Sequence, residues 1–221
     1  MTDTSVIIPV LNGEKYIAHA HASIAGQLAP DDEIIVVDNG STDATVAIVN
    51  ALGDKRIQVL TEAKRGPAAA RNRALQVASG TCIAFLDHDD LWPPDRHIRM
   101  RQLLGGDVDA VCGRLTIRFD DEIDPIYAAM DDTYLADVSL CTYLFRHASI
   151  KPCGGLDESL QFGEDIDFLL RYRQLGVRVA PFDGAALIYR RHRSNMTLDL
   201  GSRKRGALDM LRRNMLRQRK D

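Results

Sequence analysis

The sequence predicts an α/β domain built on a mainly parallel central sheet flanked by helices. Three observations point there. Short β-branched runs alternate with helix-patterned segments through the first half. Helix-start signals recur at matching intervals, as in "NGSTDAT" and at Pro67. At 221 residues with 45% apolar side chains, the chain has enough material for a core of its own.

Taken in order, the strands are Ser5–Val10, Glu33–Asp38, Arg56–Thr61 and Thr81–Asp87. The helices between and after them are Glu14–Gly26, Thr42–Leu52, Pro67–Ala78 and Pro94–Leu104. Ser41 or Thr42 is expected to cap the second helix, accepting from the orphan amides of its first turn. Parallel strands of such a sheet end at one edge where ligands collect, so Val10, Asp38 and Asp87 should share a rim. The second half is less regular. Strand-like stretches near Ala110–Phe119 and Val138–Arg146 precede the turn "KPCGGLDES" and a helix from Glu164 to about Leu175. Strand-like pieces follow at Val177–Pro181 and Ala185–Arg191, and a basic helical pattern begins at Gly201. No internal repeat or low-complexity linker divides the halves, so they are expected to share one core.

Charge is unevenly spread. The net charge is −3, yet the last twenty residues hold eight Lys/Arg against two Asp. Met1 to Ser5 lacks a signal-peptide pattern, and no apolar run approaches the roughly 18 residues of a membrane span. A cytoplasmic protein is expected. Cys82, Cys112, Cys141 and Cys153 form no C-x-x-C pair and are expected to be buried free thiols.

The stretch "FLDHDDLWPPD" places Asp87, Asp89 and Asp90 within four positions at the end of a strand. Their repulsion is relieved if a hard divalent cation, Mn2+ or Mg2+, sits among them. The plainer alternative is a solvated acidic loop in which Asp90 or Asp95 caps the next helix. In "GEDIDFLLR", Glu164 and Asp165 open a helix whose N-terminal field is expected to favour their ionised forms, so that one of them serves as a base. Two first-turn acids without a catalytic role would look the same. His192 in "YRRHRSNMT" is either a loop histidine or, with Arg190, a contact for a diphosphate or metal.

Five segments, "SVIIPVLNGEKYI", "EIIVVDNGSTDAT", "RGPAAARNRAL", "FLDHDDLW" and "GGLDESLQFGEDIDFLLR", follow one another in an order and spacing that resembles the family 2 glycosyltransferases with the Rossmann-like GT-A fold. The resemblance covers about residues 4–195. It implies a nucleotide-sugar-binding half at 1–107, an acceptor-binding and catalytic half of the same domain at 108–200, and a basic amphipathic C-terminal helix at 201–221. It further implies that Pro9, Val10, Asn12 and Glu14 form the floor and wall of a nucleotide pocket, with Asp38 on the base and Arg71 flanking the nucleoside. Asp87 and Asp89 match the D-x-D acids that hold ribose and metal; Asp90 shares that role, and His88 between them counts with the donor contacts. Asp165 is the implied base, with Glu164 orienting it or the acceptor. One departure is Asn39, where many relatives carry a second Asp.

The implied activity is inverting, non-processive, metal-dependent transfer from a nucleoside-diphosphate sugar, a UDP-sugar by resemblance, to the hydroxyl of a saccharide or lipid-linked acceptor, as in cell-surface polysaccharide or glycolipid synthesis. The Q-x-x-R-W motif of processive synthases is missing. An aspartyl-phosphate-type phosphatase would place its D-x-D on the first strand, whereas Asp87 ends the fourth. No G-x-G-x-x-G follows Val10, which argues against a nicotinamide enzyme. A sugar-nucleotide-binding module without turnover is the remaining rival. Around Leu208, Leu211 and Met215 the tail carries Arg212, Arg213, Arg217 and Arg219; it fits an anionic membrane surface, its own domain or a homodimer contact better than nucleic acid.

Overall fold

The computed structural model describes residues 3–120, 139–160, 162–193 and 195. One seven-stranded sheet runs through it in the order β3-β2-β1-β4-β6-β5-β7. Strands β1 (Thr4–Val10), β2 (Glu33–Asp38), β3 (Ile57–Thr61) and β4 (Cys82–Phe85) are parallel, as the alternating pattern requires. Between them come α1 (Ile17–Ala25), α2 (Thr45–Ala51) and α3 (Pro67–Leu75), and α4 (Arg96–Leu103) follows β4. In the second half β5 (Ala110–Phe119) and β6 (Tyr143–Arg146) are antiparallel neighbours, β6 also running antiparallel to β4. A short α5 (His147–Ile150), the longer α6 (Glu164–Gln174) and β7 (Val179–Arg191), parallel to β5, complete the described chain.

Several boundaries differ from the sequence expectation, each for a local reason. Helix α1 starts at Ile17 rather than Glu14, because the Gly13 carbonyl accepts from Tyr16 and Ile17 and turns the intervening residues. Neither Ser41 nor Thr42 caps α2; Asp43 Oδ1 accepts from the Thr45 amide (3.0 Å), while the Ser41 hydroxyl accepts from the Asn12 amide (2.9 Å). The strand expected over Val138–Arg146 begins only at Tyr143, after a 3-10 turn at Leu140–Thr142, and residue 138 lies outside the described residues. The two pieces expected at 177–181 and 185–191 form one strand. Its register shifts against β5 around Gly113, where an added Cβ would lie 2.7 Å from Ala186 Cβ and from Phe182 Cδ1.

The core joins both halves of the sheet. Phe145 on β6 meets Phe85 of β4 (6.1 Å), Tyr143 (5.1 Å), and Phe168 and Tyr172 of α6 (6.3 and 5.3 Å), mostly edge to face. Arg96, fully buried at the start of α4, holds its guanidinium over Trp92 (4.2 Å) and donates to the Ala186, Cys141 and Tyr143 carbonyls. With only carbonyls as acceptors, burial brings its pKa down to about 9.

His97, next along α4, stacks on Trp92 (5.5 Å) and reaches Thr4 Oγ1 (3.3 Å). Burial, reinforced by Arg96 and Arg101, pushes its pKa down to about 3. The unfolded chain therefore binds a proton that the folded chain refuses, between about pH 6.5 and pH 3. The neutral imidazole's contribution is complete above that window and is lost as pH falls through it, at up to about 1.4 kcal/mol per pH unit. His97→Phe should flatten the acid limb of a urea-unfolding stability curve; an unchanged slope would show that another group governs it.

Candidate active site

The C-terminal ends of β1, β2 and β4 lie along one edge of the sheet. Val10 is paired with Asp38, and the Asn39 amide donates to the Val10 carbonyl (2.8 Å). Pro9 and Val10 are buried within β1. Asp38 Oδ1 accepts from the Ser41 amide (3.0 Å), closing the Asx turn that leads off β2. Above it the two loops are zipped together. Asn12, in a left-handed conformation at φ 53°, accepts from the Thr42 amide (2.9 Å), and Glu14 accepts from the Ala44 amide (3.1 Å). Asn12 and Glu14 thus shape the rim by holding the 41–44 loop. Gly13 is sterically required, since an added Cβ would lie 2.6 Å from both His88 Cδ2 and Val10 Cγ2.

Asn39 has a role the sequence did not disclose. Its Nδ2 donates to the Glu62 and Lys64 carbonyls (2.9 and 2.8 Å), and its Oδ1 accepts from the Gly66 amide (2.8 Å). An aspartate there would turn an oxygen toward two carbonyls. Asn39→Asp should therefore cost about 2 kcal/mol in urea unfolding, and an undiminished stability would contradict this reading.

After β4, the Asp90 amide closes a turn on the Asp87 carbonyl (3.0 Å), and the three acids fan apart to separate partners. Asp87 Oδ1 accepts from Arg71 Nη2 (2.7 Å). Asp89 Oδ2 lies 3.1 Å from His192 Nε2 and accepts from Asn195 Nδ2 (3.3 Å). Asp90 Oδ1 accepts from the Arg190 amide (2.9 Å). Among the described residues no group of three or more His, Cys, Asp or Glu side chains is arranged to hold a metal ion. Asp90 is only 1% exposed, and burial together with Asp89 and Asp87 pushes its carboxyl well above the usual range, which favours a neutral group inside the protein. Burial opposes the charge on Asp89 as well, but the His192 hydrogen bond and the fields of His88 and His192 outweigh it and hold this carboxyl below its ordinary value.

His192 is anchored by neighbours from both halves of the chain. Its ring stacks on Tyr16 (4.3 Å, 22°), and Arg190, paired with Asp120, lies over the same Tyr16 ring at 4.7 Å. Asn195 accepts from the His192 amide (2.6 Å). Tyr16 and Asp120 left no trace in the sequence, because their contacts to His192 and Arg190 join distant segments; Asn195 was visible only within the stretch "YRRHRSNMT".

At the start of α6, Arg71 Nη1 donates to Glu164 Oε1 (2.9 Å) and Asp165 Oδ1 (3.0 Å), and Asp165 Oδ2 accepts from the Leu140 amide (3.2 Å). The ionising influence expected of the helix N-terminus is overridden. Burial, with Asp165 adding repulsion and Arg71 opposing it, brings Glu164 up to about 7. Burial also raises Asp165, against the pull of Arg71. Asp167, fully buried, accepts from Arg171 Nε (2.9 Å), and Arg171 in turn holds the Cys153 and Gly155 carbonyls. Asn72, next to Arg71, clasps the same turn through the Leu156 amide and carbonyl (2.8 and 2.9 Å).

The sequence model of glycosyl transferase family 2 matches residues 5–142, more than half of the chain. The chain belongs to glycosyl transferase family 2. It is 32% identical over 202 residues to an uncharacterized glycosyltransferase of Rickettsia typhi, covering 83% of this chain and 62% of the relative. It is 44% identical over 89 residues to the UDP-Glc:alpha-D-GlcNAc-diphosphoundecaprenol beta-1,3-glucosyltransferase WfgD of Escherichia coli, covering 40% and 35%. The mannosyltransferase PcManGT from Pyrobaculum calidifontis, solved in complex with GDP-Man and Mn2+, superposes with a TM-score of 0.74 at 20% identity over 96% of this chain and 64% of that one. The sheet described above is thus the GT-A fold of the family 2 glycosyltransferases. The chain spans about a third to two thirds of the length of these relatives.

Proposed function

We propose that this family 2 glycosyltransferase moves a sugar, with inversion, from a nucleoside-diphosphate sugar to an acceptor hydroxyl. One observation carries the reading: Asp165 and Asp87 bind the same guanidinium, which sets a candidate base beside the acids of the D-x-D turn. Asp38, Pro9, Val10 and the loop braced by Asn12 and Glu14 would receive the nucleoside, with His88 and Asp87 along the path to the phosphates. WfgD's activity as a glucosyltransferase from UDP-Glc to a diphosphoundecaprenol-linked sugar favours a UDP-sugar donor and a lipid-linked saccharide acceptor, hence cell-surface glycan synthesis.

Asp89 and His192 fit a divalent cation better than the three-acid set. One carboxylate held ionised beside an imidazole suits Mn2+ or Mg2+, whose shell is completed by water and substrate phosphates. PcManGT, solved in complex with Mn2+, supports a divalent cation. Such an ion, when bound, neutralises charge developing on the departing diphosphate. Asp165 takes the acceptor proton as the acceptor oxygen attacks the face opposite the diphosphate, and Glu164 flanks it. Tyr16 and Asn195 keep His192 aligned with Asp89. Among the described residues no helix is long and apolar enough to cross a membrane. The basic tail proposed as a contact for anionic lipid or a second copy lies outside the described residues.

The test is hydrolysis of UDP-, dTDP- and GDP-sugars with Mn2+, followed by rapid proton NMR. Expected is turnover of a UDP-sugar whose α-linked glucose first appears as the β-anomer. Retention of configuration, or phosphate release from a simple phosphomonoester in place of sugar release, would overturn the proposal.

A further inference from the structure

The guanidinium of Arg71 is 3% exposed, and its Nη atoms are engaged by three carboxylates from two distant segments: Asp87 after β4, and Glu164 and Asp165 opening α6. Its Nε is buried without a partner among the described residues, so no edge of the fork is turned toward an open pocket. We propose that Arg71 is a positioning residue for the base, joining the donor-side turn to Asp165, and not a contact for the nucleoside. The inference rests on the functional reading above.

The geometry makes the guanidinium hard to replace. Glu164 and Asp165 are sequence neighbours whose charges repel, and Nη1 draws one oxygen of each to a single nitrogen. The Leu140 amide fixes the other oxygen of Asp165, so the carboxylate is held at both oxygens by donors from different elements. Each carboxylate oxygen has two lone pairs, which leaves Asp165 an accepting direction for a proton. Nη2 meanwhile fixes Asp87, so the spacing between that acid and the base is one guanidinium wide. Arg71 is itself held in place by its helix, which Asn72 clasps to the 155–158 turn leading into α6. A lysine would keep the charge yet present a single nitrogen, which cannot occupy both places.

Arg71→Lys and Arg71→Gln are compared with the wild type by Mn2+-dependent hydrolysis of UDP-glucose and by calorimetric titration with UDP and Mn2+. Both variants should lose about 100-fold in kcat, the size of effect that misplacing a reacting group produces, while KM for UDP-glucose and Kd for UDP stay within about threefold of wild type. Adding Asp165→Asn to Arg71→Lys should cost no more than Asp165→Asn alone. A nucleoside contact gives the opposite split, with weaker UDP binding and preserved kcat, and that result overturns the inference, as does an unchanged kcat. If Arg71→Gln does not fold, the charge-retaining lysine variant decides. A wild type that neither binds UDP nor hydrolyses UDP-glucose would sink the functional reading itself, whereas a normal wild type beside an unaffected Arg71→Lys sinks only this inference.

Discussion

Asp165→Asn is expected to lower Mn2+-dependent turnover of the sugar nucleotide by about a thousandfold while UDP binding is retained. The amide nearly matches the carboxylate in shape, and its oxygen still accepts from Arg71, so the start of α6 should hold its place. What it lacks is a lone-pair oxygen basic enough to take the acceptor proton. Removing one of three acids around a buried arginine also relieves a charge that burial disfavours, so little stability should be lost; the Leu140 amide would face an Nδ2 donor, at a cost of about 1 kcal/mol. Stopped-point assays with UDP-glucose, beside calorimetric titration of UDP, separate the two effects. Retention of about a tenth or more of wild-type turnover would mean that Asp165 is not the base.

The second large effect falls on donor capture. Asp89→Ala removes the carboxylate that His192 Nε2 and Asn195 Nδ2 share, the only carboxylate of the D-x-D turn that pairs with an imidazole among the described residues. KM for the donor should rise about 100-fold or more, the scale on which metal sites respond when a ligand or its support is lost. The fold should persist. Tyr16 still stacks on His192, and Arg190 still donates its amide to Asp90. Equal donor KM in the variant and wild type at saturating Mn2+ would remove Asp89 from the proposed cation site.

The parallel half of the sheet was legible because its signals are local. Glu33–Asp38 is found where the apolar run put it, and Pro67 opens α3 as its fixed backbone angle dictates. Errors arose where long-range partners intervene. Ser41 is a good capping residue, yet the β1–α1 loop claims its hydroxyl, and the Thr45 amide at the start of α2 donates to Asp43 instead. Val177–Pro181 and Ala185–Arg191 read as two separate pieces, although the bulge opposite Gly113 lets one strand run through both. At the site, spacing disclosed which acids cluster but not which way each points. Asp87, Asp89 and Asp90 are neighbours in sequence, and their partners Arg71, His192 and Arg190 come from α3 and the end of β7. Asn39 looked like a lost carboxylate; its two donated hydrogen bonds show why an amide is needed in this chain. The N-terminal field of α6 was a sound local argument, outweighed by burial that only the tertiary structure supplies.

Calorimetric titration of the wild-type chain with UDP and with UMP, each with Mn2+ and with EDTA, tests most directly whether the Asp89–His192 corner grips a diphosphate through a dication. The account predicts that Mn2+ tightens UDP binding by about tenfold or more and changes UMP binding far less, because only UDP brings the β-phosphate to that corner. Equal UDP affinity with Mn2+ and with EDTA would contradict it.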